Sequence, residues 1–89
     1  MAIVGDVVEI REELRSHLAG ILYCEADDVA DDATFEDLGL DSILGLELIA
    51  MVNTRYGLTE PLESVYEYPT LGEFSMYVRD RAGHEEKRP

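Results

Sequence analysis

The residue with the plainest chemical potential in this 89-residue chain is Ser42. It lies in Leu38-Gly39-Leu40-Asp41-Ser42-Ile43-Leu44-Gly45-Leu46-Glu47, a hydroxyl between an acid and an apolar run. A serine nucleophile needs a base, itself held by an orienting group. The two histidines are His17, midway along a helical pattern, and His84, near the C-terminal end, and there is no Gly-x-Ser-x-Gly elbow around Ser42. Self-contained catalysis is therefore disfavoured. A serine at a helix start commonly caps the helix by accepting a backbone hydrogen bond. Asp41 can take that role instead, which leaves Ser42 free in the first turn and open to modification by another enzyme. An anion attached there is favoured by the free N–H groups and the macrodipole of a helix start. Asp41 opposes such an anion, and makes better sense holding a metal ion or a basic residue of the modifying enzyme.

Other clusters carry less. Asp27, Asp28, Asp31 and Asp32 lack the Asp-x-Asp-x-Asp-Gly spacing and distal Glu of a calcium loop and read as a solvated acidic loop, so no metal site is expected. Cys24 has Glu25 and Asp27 as neighbours, the wrong charge for a reactive thiol, and reads as a small buried residue. As a lone cysteine it forms no internal disulfide, which fits a reducing cytoplasm.

The net charge of −13 argues against direct binding to nucleic acid or an anionic membrane and favours a basic partner surface. The acid is uneven: residues 1–41 hold 12 acids and 2 bases, residues 42–82 hold 6 and 3, and residues 83–89 hold two of each. It gathers just ahead of Ser42. No apolar run is long enough for a transmembrane helix, and Met1 to Asp6 does not read as a signal peptide.

The elements that must position Ser42 are helical. Asp6-Val7-Val8-Glu9 is a capping box, and Val7, Ile10, Leu14, Leu18, Ile21 and Leu22 recur at helical spacing, which predicts a first helix over 7–22. Glu25 to Asp32 has too little apolar content for an element. Thr34 to Gly39 makes one short turn, with Phe35 and Leu38 pinning the long loop to the core. A second helix is expected over 42–56, closed by Gly57-Leu58, and a short third over 61–67, opened by Pro61 and ended by Tyr68-Pro69. Thr70-Leu71-Gly72-Glu73 caps a fourth helix with Leu71, Phe74 and Val78 on its apolar face and Gly83 as its stop. The expected fold is all-α, a four-helix bundle of three main helices and a short third, with a long first loop. The expected organisation is an N-terminal extension over 1–5, one folded domain over 6–82 and a flexible tail over 83–89.

The second helix is more apolar than a core face requires. Gly45, Leu48, Ile49, Val52 and Tyr56 fall on one side, an ordinary buried stripe. Ile43, Leu46 and Ala50, with Glu47 beside them, fall on a second side near Ser42. Either the third helix and the loop cover this second stripe, or it stays partly exposed and docks partners as an apolar patch rimmed by acid. Tyr66 and Tyr68 pack the region of the third helix, or shape a pocket there.

Leu38-Gly39-Leu40-Asp41-Ser42-Ile43, followed by an apolar helix with Glu47, resembles the attachment motif of acyl carrier proteins. The resemblance spans about residues 6–82 and includes Phe35, Tyr56-Gly57-Leu58 and the Val65 to Leu71 connection. It implies that Ser42 bears a covalent 4′-phosphopantetheine arm from coenzyme A, added by a separate phosphopantetheinyl transferase that recognises Asp41. It implies a non-catalytic carrier that shuttles thioester-bound acyl groups among enzymes such as a ketosynthase and an acyltransferase. Ile43, Leu46 and Glu47, with Glu36 and Asp37 ahead of them, then face those partners. Asn53, Thr54 and Arg55 replace the acids that fatty-acid carriers place late in this helix, so the chain looks more like a polyketide-type carrier, of the kind used in antibiotic biosynthesis. A fatty-acid-synthesis carrier is an alternative. A peptidyl carrier of non-ribosomal peptide assembly is another, though Gly39-Leu40 stands where such carriers usually have Gly-Gly. The lack of Trp disfavours any subtype marked by a tryptophan in the second helix. A cytoplasmic monomer is expected, free-standing or an excised domain of a larger synthase. The competing class is an acidic helical adaptor with Ser42 unmodified.

Overall fold

In the computed structural model, the backbone is described for residues 6–86 and the side chains for residues 6–82. Four helices appear: α1 (Val7–Leu22), α2 (Ser42–Tyr56), α3 (Glu63–Glu67) and α4 (Leu71–Glu86). Among the described residues there is no β-strand, only an isolated antiparallel bridge between Thr34 and Thr70. The bundle is all-α, as expected, and α1 packs chiefly on α4.

The ends of α1 and α2 follow from local chemistry. Asp6 Oδ1 accepts the Glu9 N–H at 3.0 Å and starts α1. At its far end Tyr23 turns left-handed at φ 58°, and the Cys24 and Tyr23 N–H groups donate back to the Ala19 and Gly20 carbonyls. This is the Schellman arrangement, here with a tyrosine where glycine is usual. Gly57, at φ 69°, closes α2, and Leu58 folds back to donate to the Asn53 carbonyl.

Ile10, Leu14 and Leu18 of α1, Leu48 and Val52 of α2, and Leu71, Phe74 and Val78 of α4 lose all but 1% of their exposure. Phe35 reaches in from the long loop and meets Phe74 edge-on, ring centroids 5.8 Å apart. Leu38 is half-buried against the same core, so both residues pin the loop as the sequence predicts.

The loop departs from expectation between Glu25 and Asp32. A 3-10 turn forms at Ala26–Asp28, with Asp28 Oδ2 accepting the Glu25 N–H, and Val29 is fully buried. The sequence hides this because one valine among four aspartates leaves no periodicity. Two of these acids, Asp28 and Asp31, are tied into the fold by hydrogen bonds. Arg15 of α1 donates to the Val29 carbonyl, to Asp31 and to Glu12, and the Asp31 carbonyl accepts the Gly72 N–H at 2.9 Å. The Phe35 N–H donates to the Pro69 carbonyl at 2.7 Å. The segment leading to Ser42 is thus tied to α1, to the start of α4 and to the turn before it.

Two helix boundaries are corrected. The third helix is Glu63–Glu67 rather than 61–67, because Pro61 and Leu62 accept from Ser64 and Val65 three residues on, a tighter winding than an α-helix. The fourth helix does not stop at Gly83 but runs to Glu86, so residues 83–86 of the expected tail are helical in backbone. Glycine inside a helix costs only about 1 kcal/mol and ends one only when the chain turns left-handed there. The expected extension over 1–5 and the rest of the tail lie outside the described residues.

Candidate functional site

Ser42 is the first residue of α2 and is exposed. Asp41 is the cap: its Oδ1 accepts the Leu44 N–H at 2.9 Å, and its carbonyl accepts the Gly45 N–H at 2.7 Å. The Ser42 hydroxyl therefore owes nothing to the helix and has no partner among the described residues. The approach to it is fixed from behind. Gly39 takes φ 94°, a conformation that a side chain strains, while Gly39 and Leu40 donate to the Glu36 and Phe35 carbonyls. Thr34 Oγ1 accepts the Asp37 N–H at 3.0 Å and starts this turn. The sequence Gly-Leu-Asp-Ser over 39–42 is thus a left-handed glycine, a partly buried leucine, a cap and a free hydroxyl, in that order.

Among the described residues, no imidazole is hydrogen-bonded to Ser42. His17 lies in α1, where it lines a shallow groove with Glu13, Met51 and Arg55. The arrangement presents a hydroxyl without activating it. The N–H groups of Ser42 and Ile43 donate to no acceptor among the described residues, so an anion on the Ser42 oxygen would meet open donors at the positive end of α2. The site thus fits a phosphodiester-linked group, with the neighbouring Asp41 carboxylate set against it.

Beyond Ser42, α2 shows both faces foreseen. Gly45, Leu48, Ile49 and Val52 are buried, and Tyr56 is half-buried with its hydroxyl donating to Glu13. Ile43 and Leu46 remain 69% and 53% exposed, and Glu47 and Ala50 are exposed as well. The second stripe is therefore not covered by α3 or the loop. Glu36 and Asp37 are exposed on the turn that precedes Asp41.

A cleft of about 520 Å³ opens between this turn, the start of α2, and α3. It brings Glu36 and Asp41 together at its wall, while Asp37, Leu46 and Glu47 lie outside it. Leu40, Leu62 and Val65 supply its apolar lining. Tyr66 also lines it and is 62% exposed, the pocket-lining alternative of the two roles the sequence leaves open; Tyr68 takes the packing role, stacking on Tyr77 with centroids 4.2 Å apart. Gly45 and Leu62 were not foreseen as part of this wall. The legible signal was the glycine itself, since an isolated glycine within a helix usually has a packing reason. Cys24 is half-buried against the core, close to the expectation.

A second feature was also unforeseen. Glu60 is only 6% exposed, and its carboxylate accepts from Ser64 of α3 at 2.8 Å and from Tyr77 and Arg81 of α4 at 2.6 and 2.9 Å. Its backbone exchanges two hydrogen bonds with the Asn53 side chain of α2. Burial alone pushes this carboxyl up, but the donations from Tyr77, Ser64 and Arg81 outweigh it and hold the group below the ordinary glutamate range. Glu60 is the joint that places α3 against α2 and α4.

Comparison with known proteins gives a consistent picture. Residues 12–78 match the phosphopantetheine attachment site family. The chain is 40% identical over 74 residues to the polyketide synthase PksL of Bacillus subtilis (strain 168), covering 83% of this chain and 2% of that protein. It is 36% identical over 75 residues to the anthracycline acyl carrier protein DpsG of Streptomyces peucetius, covering 84% of this chain and 88% of that one. Among solved structures, the HMG-ACPI domain from the CurA module of Lyngbya majuscula superposes with a TM-score of 0.84 at 38% identity, covering 92% of this chain and 83% of that chain. A free-standing peptidyl carrier protein from Acinetobacter baumannii superposes at 0.83 over 85% of this chain and 95% of that one, but at 22% identity this shows the fold alone. Among the described residues, no helix is long and apolar enough to cross a membrane.

Proposed function

The chain belongs to the phosphopantetheine attachment site family of acyl carrier proteins, and on that premise we propose that Ser42 is where its 4′-phosphopantetheine is attached. The observation that carries this reading is the division of labour at the start of α2: Asp41 caps the helix, so the exposed Ser42 hydroxyl is free. When bound, the arm supplies a terminal thiol on which acyl groups travel as thioesters. The protein's own contribution is to present, orient and release. Among the described residues no base stands against Ser42, and attachment is assigned to a separate phosphopantetheinyl transferase, with the Asp41 carboxylate facing that enzyme. The flexible arm raises the local concentration of its cargo at each partner in turn.

The pathway is proposed to be polyketide assembly, supported by the likeness to PksL and DpsG. The partners are then its ketosynthase and acyltransferase, met by the exposed Ile43 and Leu46 with Glu47, Glu36 and Asp37 around them. Small exposed apolar patches rimmed by charge suit brief, repeated docking. Intact-protein mass after incubation with coenzyme A, magnesium and a broad-specificity transferase tests the assignment. The parent should gain one phosphopantetheine and Ser42→Ala none. A folded, unmodified parent that gains nothing with several transferases would overturn it and bring forward the acidic adaptor.

A further inference from the structure

We infer that Tyr23 is a docking residue for the enzyme that modifies Ser42, and that its ring receives a lysine or arginine side chain of that enzyme. This rests on the carrier reading above, since it concerns the step that loads Ser42. Tyr23 follows the last residue of α1 and is 95% exposed, more than any other large apolar side chain described. It is no part of the hydrophobic core, and its hydroxyl makes no hydrogen bond among the described residues. It is also held left-handed, at φ 58°, where a glycine would sit without strain. A ring that shields nothing in the fold, at a backbone position that disfavours it, has no structural reason to be there. Residues kept in such conformations gather at functional sites.

The place of Tyr23 in the bundle points to the partner. Glu13 of α1 meets Arg55 and Tyr56 of α2, and the groove beside that contact sets Ser16 and His17 with Met51, so the two helices run antiparallel. Tyr23 lies ten residues on from Glu13, and Ser42 thirteen residues back from Arg55. At about 1.5 Å per residue the two stand at the same end of the bundle, within about 5 Å of one level. An enzyme served by the arm can stand off by the arm's length. The enzyme that attaches the arm must bring its own active site to the Ser42 oxygen, and so covers this end. The local charge sets the chemistry of the contact. Between Arg15 and Arg55 the chain holds no Lys or Arg. Glu25 and Asp27, just beyond Tyr23, are exposed and enter no ion pair among the described residues. A cation on the face of the ring is drawn by the ring itself and by these carboxylates; an anion is repelled by both.

The test follows transfer of phosphopantetheine from coenzyme A to the full chain by a broad-specificity transferase with magnesium, at varied carrier concentration. Tyr23→Gly relieves the left-handed conformation and should melt no lower than the parent. It should nevertheless raise the KM for the carrier at least about twofold, the low end for a cation on an exposed ring, with the change confined to KM. Tyr23→Asn, which also tolerates this conformation, should do the same and guards against an effect of glycine's freedom. Tyr23→Phe keeps the ring and should restore the parent KM. Asp27→Lys puts a competing cation beside the ring and should raise KM as loss of the ring does. A KM for Tyr23→Gly and Tyr23→Asn less than twofold above the parent would overturn the inference and leave the carrier reading intact. So would a loss confined to kcat, or an equal loss in Tyr23→Phe. A parent that gains no phosphopantetheine would overturn the carrier reading and this inference with it.

Discussion

Replacing Glu60 with alanine removes the acceptor for three donors at once and should cost about 3 kcal/mol. Ser64 is 2% exposed and Tyr77 half-buried, and each hydroxyl left without its acceptor costs about 1–3 kcal/mol. The Arg81 side chain is 45% exposed, so solvent screens its pairing with Glu60 and the loss of that pair is counted at about zero. Glu60→Gln keeps an amide oxygen for Ser64 and Tyr77 but gives up the charge assistance, a loss of about 1–1.5 kcal/mol. In a domain of this size each kcal/mol is about 4–8 °C, so the melting temperature should fall by roughly 4–12 °C for glutamine and 12–24 °C for alanine. The pH dependence has a definite sign. The folded protein holds this carboxyl below its ordinary value near 4.5, so its contribution is present above that value and lost as pH falls through the lowered one. Urea unfolding followed by circular dichroism, from about pH 7 to about pH 3, should show the gap between parent and Glu60→Gln closing on the acid side. Amide exchange should quicken first in α3, which Glu60 places. An alanine variant within about 1 kcal/mol of the parent, or a gap to glutamine that does not change with pH, would refute the reasoning.

Asp41→Asn should preserve the cap and leave stability within about 0.5 kcal/mol, whereas Asp41→Ala should lose about 1 kcal/mol by urea titration; slower transfer of phosphopantetheine to the asparagine variant, followed by mass, would show that the carboxylate itself is read. Tyr23→Gly should stabilise the protein by about 0.5–1 kcal/mol in thermal unfolding, because Tyr23 is 95% exposed yet held left-handed. Val29→Ala should cost about 2 kcal/mol in the same measurement, since the valine is fully buried and loses the equivalent of two methylenes plus a small void.

The helices were legible because their signals are local. Asp6, Gly57 and Thr70 each act on neighbours within a few residues, and the periodic leucines of α1 and α2 declare one buried face apiece. Ser42 was legible for the same reason: the free hydroxyl follows from an acid standing one position earlier. What the sequence concealed depends on meetings across the chain. Val29 is buried because Arg15 and Gly72 hold its loop down from two helices. Glu60 reads as a surface acid until Tyr77 and Arg81 arrive from α4. The cleft exists only where Gly45 and Leu62, on separate elements, come within contact of each other. Gly83 misled for a further reason: glycine permits a helix to end but does not compel it.

The packing of α1 chiefly on α4 also governs when the fold can exist during synthesis. Once α1 has left the ribosome, residues 23–70 must follow before its main partner begins to appear, roughly 2–10 s at ordinary elongation rates. Through that interval Ile10, Leu14 and Leu18 lack the surface that finally shields them. The domain therefore closes late and as one unit.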